Sequence, residues 1–449
     1  MAITSTILIW QEGGEATAAG YRYFLFHALG GALLGAGVAL IILSGGSPVV
    51  GPVGGLMGTT LGYWGAILLV LGIGVNVCFI PLHTWLPDAY PRAHFAASVF
   101  LAIYTTKTAV YLLARAQPPT LLIAFMGAIM AVYGVIFAVL QNDMRRLLSY
   151  HIISQLGYMV AGIGLFCWFS GSEIGLLGLN GGLAHLFNNL LYKTLLFMIV
   201  GVIIWKTGEN LLSRVGGLQR RMPVTAFAFW IAAFSISGVP FFNGYVSKSM
   251  VMLAAEEASP LIWALLEIAS FGTFLSFLKL GYFAFLRPAK AEITEASDPP
   301  LGAQIAMVAT AALCVIIGIY PPLLYGILPA PVTYAAYNPV QLAGAVIVLG
   351  AAALFFFTIG KKVLEPHETG VVDFDVLYAT SCTAIVDFAG ALWEIFGMIY
   401  RMASDTAGAL YSLGRRAMWG EGRDVNWNLL IFALTLLVLL ALATRGVPV

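Results

Sequence analysis

The sequence predicts an all-α polytopic membrane protein. The chain has 449 residues, of which 60% are hydrophobic and only 10% are charged, and its mean hydropathy is +0.91. Uncharged runs such as LLIAFMGAIMAVYGVIFAVL (residues 121–140) are long enough for a helix to cross a bilayer. These runs exclude a soluble fold. Since lipid offers the backbone no hydrogen-bond partners, a segment that crosses it alone must be helical.

Hydropathy windows of about 19 residues place the spans in order along the chain. They cover residues 21–44, 59–80, 95–115, 119–140, 146–168, 177–205, 223–241, 260–286, 303–323, 340–360 and 427–444. The apolar residues 1–10 are too short to cross alone, and they lack the basic region and cleavage site of a signal peptide. We therefore expect a multi-pass membrane protein.

Basic residues sort to one side of the membrane if the spans alternate in direction. That face receives Arg22, Arg92, Arg145, Arg146, Lys206, Arg214, Arg220, Arg221, Arg287, Lys290, Lys361 and Lys362, whereas only Arg115 and Lys248 fall on the other. The positive-inside rule makes the first face cytoplasmic.

Residues 363–425 mix acidic and basic side chains with aromatic ones such as Trp393 and Tyr400. We interpret them as an amphipathic segment that lies along the cytoplasmic face and precedes the last span. A crossing by residues 380–402 is the alternative, which periodicity alone does not exclude.

Three lysines interrupt apolar runs, namely Lys107, Lys193 and Lys279. A lysine near the bilayer centre costs about 2.5–3.5 kcal/mol on insertion scales, so it must face the interior of a bundle or water. Such positions commonly mark an ion or proton path. Two structural alternatives stay open: Lys107 pairs with a carboxylate, or Lys279 extends toward the membrane surface.

His185, Asn189 and Lys193 are spaced i, i+4 and i+8, which places them on one face of a helix. Histidine exchanges a proton near neutral pH, so this face is a candidate path, although polar contacts between helices are the alternative. Asn is a poor zinc ligand, and the four cysteines are widely separated without a CxxC pair. We therefore expect no metal and no cofactor.

Four further residues are candidates for either the path or a structural loop. Asn76 and His151 lie inside apolar spans, and His83 and Asp88 lie in PLHTWLPDAYP (residues 81–91), whose prolines break the helix. Three threonines flank Lys107, and we expect them to solvate its ammonium and to satisfy a locally unwound backbone.

Five motifs in order carry a family resemblance. They are PLHTWLPDAYP (81–91), DMRRLLSYHIISQLGYM (143–159), HLFNNLLYKTLLF (185–197), VGGLQRRMP (215–223) and SGVPFFNGYVSK (237–248). The set resembles the antiporter-like subunits shared by Mrp-type Na+/H+ antiporters, respiratory complex I and membrane-bound hydrogenases. Among these, the segments FLAIYTTKTAVYLLAR and FLSFLKLGYFAF look most like the D-type member of the Mrp antiporters. The resemblance covers about residues 1–362.

The resemblance implies an inverted-repeat bundle with one broken helix in each repeat. The remainder of the first repeat would occupy residues 1–115, the second repeat 116–290, and additional transmembrane helices 291–362, followed by the amphipathic segment at 363–425 and a C-terminal transmembrane helix at 426–449. Lys107 matches the family's bridging lysine, Lys193 its central lysine, and Lys279 a lysine near the far exit. His185 matches the first histidine of the central helix.

The chain departs from the family pattern in three ways. The second histidine of the central helix is Asn189, and a lysine that precedes PLHTWLP is Asn76. The helices before ITSTILIW, which in the family include a membrane glutamate, have no counterpart here, so we expect the first repeat to be truncated. Either the start of the chain is artificial or a separate polypeptide supplies those helices.

These observations predict a proton- or Na+-translocating subunit of a multisubunit monovalent cation/H+ antiporter, not an enzyme in its own right. Its partners would be the other subunits of a Mrp-like or complex I-like assembly, lipid, H+ and Na+, and no nucleic acid. Two alternatives stay open, a non-conducting scaffold in the same assembly and the membrane arm of a redox complex of the complex I or hydrogenase kind.

Overall fold

The structure, a computed structural model, describes residues 2–47, 49–288, 296–368, 371, 373–419, 431, 434 and 435. The helices in chain order are α1 Ala2–Trp10, α2 Glu15–Leu43, α3 Thr60–Val77, α4 Trp85–Arg92, α5 Phe95–Ala116, α6 Leu122–Leu140, α7 Met144–Trp168, α8 Glu173–Thr207, α9 Leu218–Arg221, α10 Pro223–Ser237, α11 Asn243–Ala258, α12 Pro260–Gly281, α13 Leu301–Ile319, α14 Pro322–Tyr325, α15 Pro339–Phe355, α16 Lys361–Val363 and α17 Asp375–Trp419. Two π-helical turns, Tyr282–Leu286 and Phe356–Gly360, extend α12 and α15.

Within the described residues, nine helices are long and apolar enough to cross a membrane. They are α2, α3, α5, α6, α7, α8, α12 with its π-turn, α13, and α15 with its extension to Val363. Each coincides with a span predicted from hydropathy, and this confirms the all-α membrane class. The span predicted at 223–241 is the shorter α10, and the one at 427–444 lies almost entirely outside the described residues.

Helix α7 occupies the centre of the bundle, and nearly all of its side chains are buried. It packs closely on α6 because glycines on both helices leave room for the opposing backbone. A Cβ atom added at Gly157 would lie 2.4 Å from the backbone nitrogen of Ala131 and 2.5 Å from the carbonyl oxygen of Gly127. Contacts this short show that the two backbones touch directly.

The first helix break separates α3 from α4 over residues 78–84, where the prolines predict it. A hydrogen bond connects the two sides of this break: Nε1 of Trp85 donates to the carbonyl of Val75 over 3.0 Å. The prediction that Asp88 lies in the loop is wrong. The helix resumes at Trp85, so Asp88 falls in α4, because proline is tolerated in the first turn of a helix.

A second break, over residues 238–242, separates α10 from α11. Gly238 takes a positive φ of 78°, which a residue without a Cβ adopts readily. The hydropathy windows miss α11 because its sequence carries Lys248 and a pair of glutamates. Each of the two breaks is thus followed by a short helix and then by a full span.

The basic loops meet at one end of the bundle, which we call the basic end. Arg145 donates to the carbonyl of Ala93 over 2.6 Å, and Arg287 donates to carbonyls at residues 212, 213 and 215. At the opposite end, Arg115 donates to the carbonyl of Val50 over 3.1 Å. The grouping of basic residues by alternation of spans therefore agrees with the contacts between loops.

Residues from Asp375 onward form a separate unit, whose described part is helix α17 together with residues 431, 434 and 435. The described side chains of α17 from Trp393 to Tyr411 are largely exposed. Helix α17 is not among the described helices that are long and apolar enough to cross. The amphipathic interpretation and its place along the cytoplasmic face stay predictions.

The substitution Gly157→Ala should destabilise the protein, because overpacking of a close interface costs about 1–3 kcal/mol. Gly350→Ala on α15 is the matched control, since an added Cβ there meets open space and alanine favours a helix by up to about 1 kcal/mol. Thermal unfolding in detergent should show a lower midpoint for Gly157→Ala alone. Equal midpoints for the two variants would contradict the direct backbone contact.

Candidate functional site

A connected group of buried polar side chains lies between α7, α8 and α11. Nε2 of His185 is 3.0 Å from Oε1 of Gln155, and Nδ1 is 3.1 Å from Oγ of Ser247. Tyr192 donates its hydroxyl to the same oxygen of Gln155 over 3.2 Å. These contacts are all satisfied when the imidazole is neutral, with the proton on Nε2 and with Nδ1 accepting from Ser247.

Asn189 lies on the predicted face, but it is not the residue that joins α8 to α11. It donates to the hydroxyl of Tyr192 over 3.2 Å. Its neighbour Asn188 makes the bridge, with bonds of 2.6 Å to the carbonyl of Asn243 and 3.0 Å to Oγ of Ser247. Analysis of the sequence missed Asn188, since the i, i+4 spacing drew attention to Asn189.

The three lysines of the apolar runs are all buried, and each donates to backbone carbonyls. Lys107 bonds to Ala102 over 2.6 Å, and Lys193 bonds to Leu148 over 2.9 Å. Lys279 bonds to Val139 over 2.6 Å and to residue 141 over 3.0 Å. Within the described part of the chain, none of the three forms an ion pair, so the carboxylate partner considered for Lys107 is not observed.

The expected unwinding and threonine solvation at Lys107 are not observed. Helix α5 is continuous from Phe95 to Ala116, so the backbone around Lys107 is not unwound. Thr105 bonds to Tyr90 and Leu101 rather than to the ammonium. Lys279 is buried by protein, and its ammonium extends toward the end of α6 near the basic end.

Several buried basic side chains are near enough to influence one another electrostatically, and together they form what we call the line of basic residues. Lys107 and Lys193 are close enough for their charges to repel each other. The next member is His151, which interacts with both Lys193 and Lys248. Its Nε2 lies 2.7 Å from Oγ of Ser276 on α12.

Lys248 is a buried member of this line that sequence analysis placed on the outer face. Its Nζ lies 4.6 Å from the centre of the Tyr158 ring and 3.5 Å from the carbonyl of Ser237, which the second helix break leaves accessible. It also interacts with Glu267 across a cavity of about 250 Å³ between α11, α12 and α15. Glu267 is an acidic residue inside the span predicted at 260–286, and this feature of the sequence could have indicated a buried basic partner.

The remaining candidates fall at the basic end or within the first break. Asn76 donates only to Gly72 of its own helix, over 3.4 Å. Asp88 pairs with Arg22 over 2.6 Å and also with Arg92, so it fixes α4 to its neighbours. His83 is fully buried, with Nε2 3.4 Å from a carboxylate oxygen of Asp373. Among the described residues, no three His, Cys, Asp or Glu side chains are arranged to hold a metal ion.

A multi-pass helical bundle with two broken helices and a line of buried lysines defines the class of antiporter-like membrane subunits. Residues 1–276 match the family model described as "NADH:quinone oxidoreductase/Mrp antiporter, TM". The chain belongs to this family.

Three comparisons show the range of similar proteins. An uncharacterised protein of Methanocaldococcus jannaschii is 32% identical, over 72% of this chain and 68% of its own length. NADH-quinone oxidoreductase subunit N of Desulforudis audaxviator is 33% identical, over 52% of this chain and 48% of its own. A chain in the structure of the Mrp complex from Dietzia sp. DQ12-45-1b superimposes with a TM-score of 0.66 at 23% identity, covering 81% of this chain and 74% of that one.

Replacement of Lys279 by methionine should lower the thermal midpoint. The substitution removes hydrogen bonds to two carbonyls at the end of α6, and a bond from a charged donor contributes about 1.5–3 kcal/mol. The control is Lys206→Met, at the partly exposed end of α8, where the ammonium lies over the Trp205 ring. Unfolding in detergent measures both variants, and an unchanged midpoint for Lys279→Met would show that these bonds do not stabilise the bundle.

Proposed function

We propose that this chain is a proton- or Na+-translocating subunit of a multisubunit monovalent cation/H+ antiporter in a prokaryotic plasma membrane, related to the D-type member of the Mrp antiporters. The observation that carries the proposal is the series of buried basic side chains from Lys107 through Lys193 and His151 to Lys248. None of these lysines has an ion-pair partner among the described residues. A lysine buried in a membrane protein without an ion-pair partner is costly, and lysines at such positions ordinarily serve transport.

The chemistry follows from how each ammonium is held. Backbone carbonyls accept a hydrogen bond from either the charged or the neutral amine, so they support both states. The charge of one lysine disfavours the charge of the next, because like charges repel strongly in a medium of low dielectric constant. A proton that arrives at one lysine therefore promotes release from its neighbour, and in this way charge moves along the line.

Proton movement between these groups needs water or short hydrogen bonds. Several buried polar atoms beside the line have no hydrogen-bond partner in the described part of the protein, among them Nδ1 of His151, Nε2 of Gln155 and Oδ1 of Asn189. Buried polar groups of this kind are ordinarily satisfied by water. We infer that water links His151, the group around His185 and Lys193.

The path would open toward the end opposite the basic loops. The cavity beside Lys248 is lined by Glu256 and Glu267 as well as by Tyr245 and Ser270. Carboxylates at this position attract a cation from solution and lower the cost of bringing it close to Lys248. The second helix break contributes the carbonyl of Ser237 to the same lysine.

A membrane arm of a redox complex is the second candidate, favoured by the 33% identity to a NADH-quinone oxidoreductase subunit. Either assembly would use the same line of lysines and would supply further membrane subunits as partners. A non-conducting scaffold is the third candidate. It rests on Asn76, which does not ionise and whose side-chain amide donates to Gly72 of its own helix.

Lys193→Ala should abolish cation-dependent proton movement in vesicles that contain the assembled complex, because it interrupts the line at its centre. Lys193→Arg should fail as well, since arginine retains its proton under all physiological conditions. Lys206→Ala, near the end of the same helix, is the control with normal transport and assembly. Normal transport by either Lys193 variant would favour the scaffold.

Asn76→Ala should reduce transport much less than Lys107→Ala, because Asn76 contributes one long bond within α3 whereas Lys107 belongs to the line of cations. The same vesicle assay compares the two variants at equal amounts of assembled complex. If Asn76→Ala is as defective as Lys107→Ala, the amide is an essential member of the path.

A further inference from the structure

Asp373 is an acidic residue buried near the basic end of the bundle. In the chain it lies between α16 and α17, two residues before α17 begins, and it is only 7% exposed. Tyr133 of α6 and Tyr150 of α7 both donate hydroxyl hydrogen bonds to its carboxylate. Nε2 of His83, in the first helix break, lies 3.4 Å from Oδ1.

The carboxylate lies well inside the bundle. Tyr133 stands about two turns before the end of α6, and Tyr150 stands nearly two turns after the start of α7. At 1.5 Å per residue, this places the group about 10 Å from the helix ends. Phe137 stacks between the two tyrosines, with ring centroids 4.4 and 5.4 Å away, and makes an apolar wall beside the carboxylate.

Attachment of this segment to the helix bundle does not by itself require a buried charge. The same segment is already held by an ion pair of 2.9 Å between Arg214 and Glu368, which is exposed. An exposed pair of this kind contributes about 0–1 kcal/mol and carries little desolvation cost. A buried carboxylate costs several kcal/mol unless hydrogen bonds offset it. The hydrogen bonds from the two phenols supply this offset, and the nearby imidazole of His83 adds an electrostatic partner, so a negative charge is kept inside the protein.

The charge of the carboxylate persists because of these partners. Burial alone would raise the pKa of Asp373, but interactions with His83, Tyr133 and Tyr150 outweigh it and hold the pKa below its usual range. His83 is completely buried, and neither of its ring nitrogens makes a hydrogen bond within the described residues. Nε2 of His83 faces this carboxylate at 3.4 Å, so a proton carried by the imidazole would have the carboxylate as its counter-ion.

We propose that His83 and Asp373 form a proton-binding site through which protons pass between the basic end and the line of buried lysines. The inference rests on the proposed transport function. A proton from the aqueous phase binds the imidazole and gives an imidazolium–carboxylate pair. Its departure toward the interior restores the neutral imidazole and leaves the carboxylate unchanged. The titratable and charged groups that face the pair are Tyr133 on α6 and both Tyr150 and Arg146 on α7.

The experiment uses the assembled complex in vesicles and measures proton movement as a function of pH for four variants: Asp373→Asn, His83→Gln, the double variant, and Glu368→Gln. Asn and Gln keep the size of the original side chains but do not titrate. His83→Gln should reduce transport by about 100-fold, as expected for removal of a proton-transfer group. Asp373→Asn should also reduce transport, because a proton on the imidazole then has no counter-ion beside it. Glu368→Gln removes the surface ion pair and should behave as wild type.

The double variant should be no more defective than His83→Gln, because two members of one site are not additive. Thermal stability and the amount of assembled complex are measured for each variant. If Asp373→Asn does not assemble, the transport rate of His83→Gln, measured at normal stability, tests the proposed site. Wild-type transport and pH profile in His83→Gln, when Lys193→Ala is inactive, would overturn this inference alone. If Lys193→Ala is also active, the proposed transport function fails instead.

Discussion

Every polar group that enters this bundle must find its partner inside the protein, and the rest of the structure depends on this constraint. The lysines meet it with backbone carbonyls rather than with acids. Lys279 uses the last carbonyls of α6, and Lys248 uses a carbonyl freed where α10 stops. Helix ends and helix breaks, which would be defects in lipid, become the binding sites for buried amines. The two breaks are thus part of the site rather than interruptions of the fold.

Helix α7 is the element through which the polar groups are connected. It is buried on all sides, so its side chains reach neighbours in several directions at once. Tyr150 bonds to Asp373, His151 to Ser276, and Gln155 to His185. The glycine contacts between α6 and α7 make this burial achievable, because they bring the two backbones together and free the remaining surface of α7 for α8, α11 and α12. The glycines therefore permit both the close packing of α6 on α7 and the polar contacts that α7 makes with its other neighbours.

The sequence predicts those parts of the structure that follow from local rules. Uncharged runs locate all nine long spans of the described chain, and prolines locate the first break. Lysines in apolar runs identify three of the buried cations. Lys248 was assigned to the outer face because it lies outside the long apolar runs, in a short helix after a break, where a charged residue ordinarily indicates exposure to solvent. Asp373 could not have been placed at all, because its partners are more than 200 positions away along the chain and no spacing rule connects them.

The arrangement of acids and bases explains why the buried line is tolerated. Several amines in one bundle would repel each other and favour unfolding or loss of protons if no negative charge stood nearby. Carboxylates lie toward both ends of the described bundle, among them Glu267 beside the cavity next to Lys248 and Asp373 beside His83 near the basic end. Neither forms an ion pair with a central lysine, so the lysines keep their freedom to change charge. An acid in direct contact would fix an ammonium in its charged state, whereas an acid at a distance lowers the cost of a mobile positive charge without trapping it.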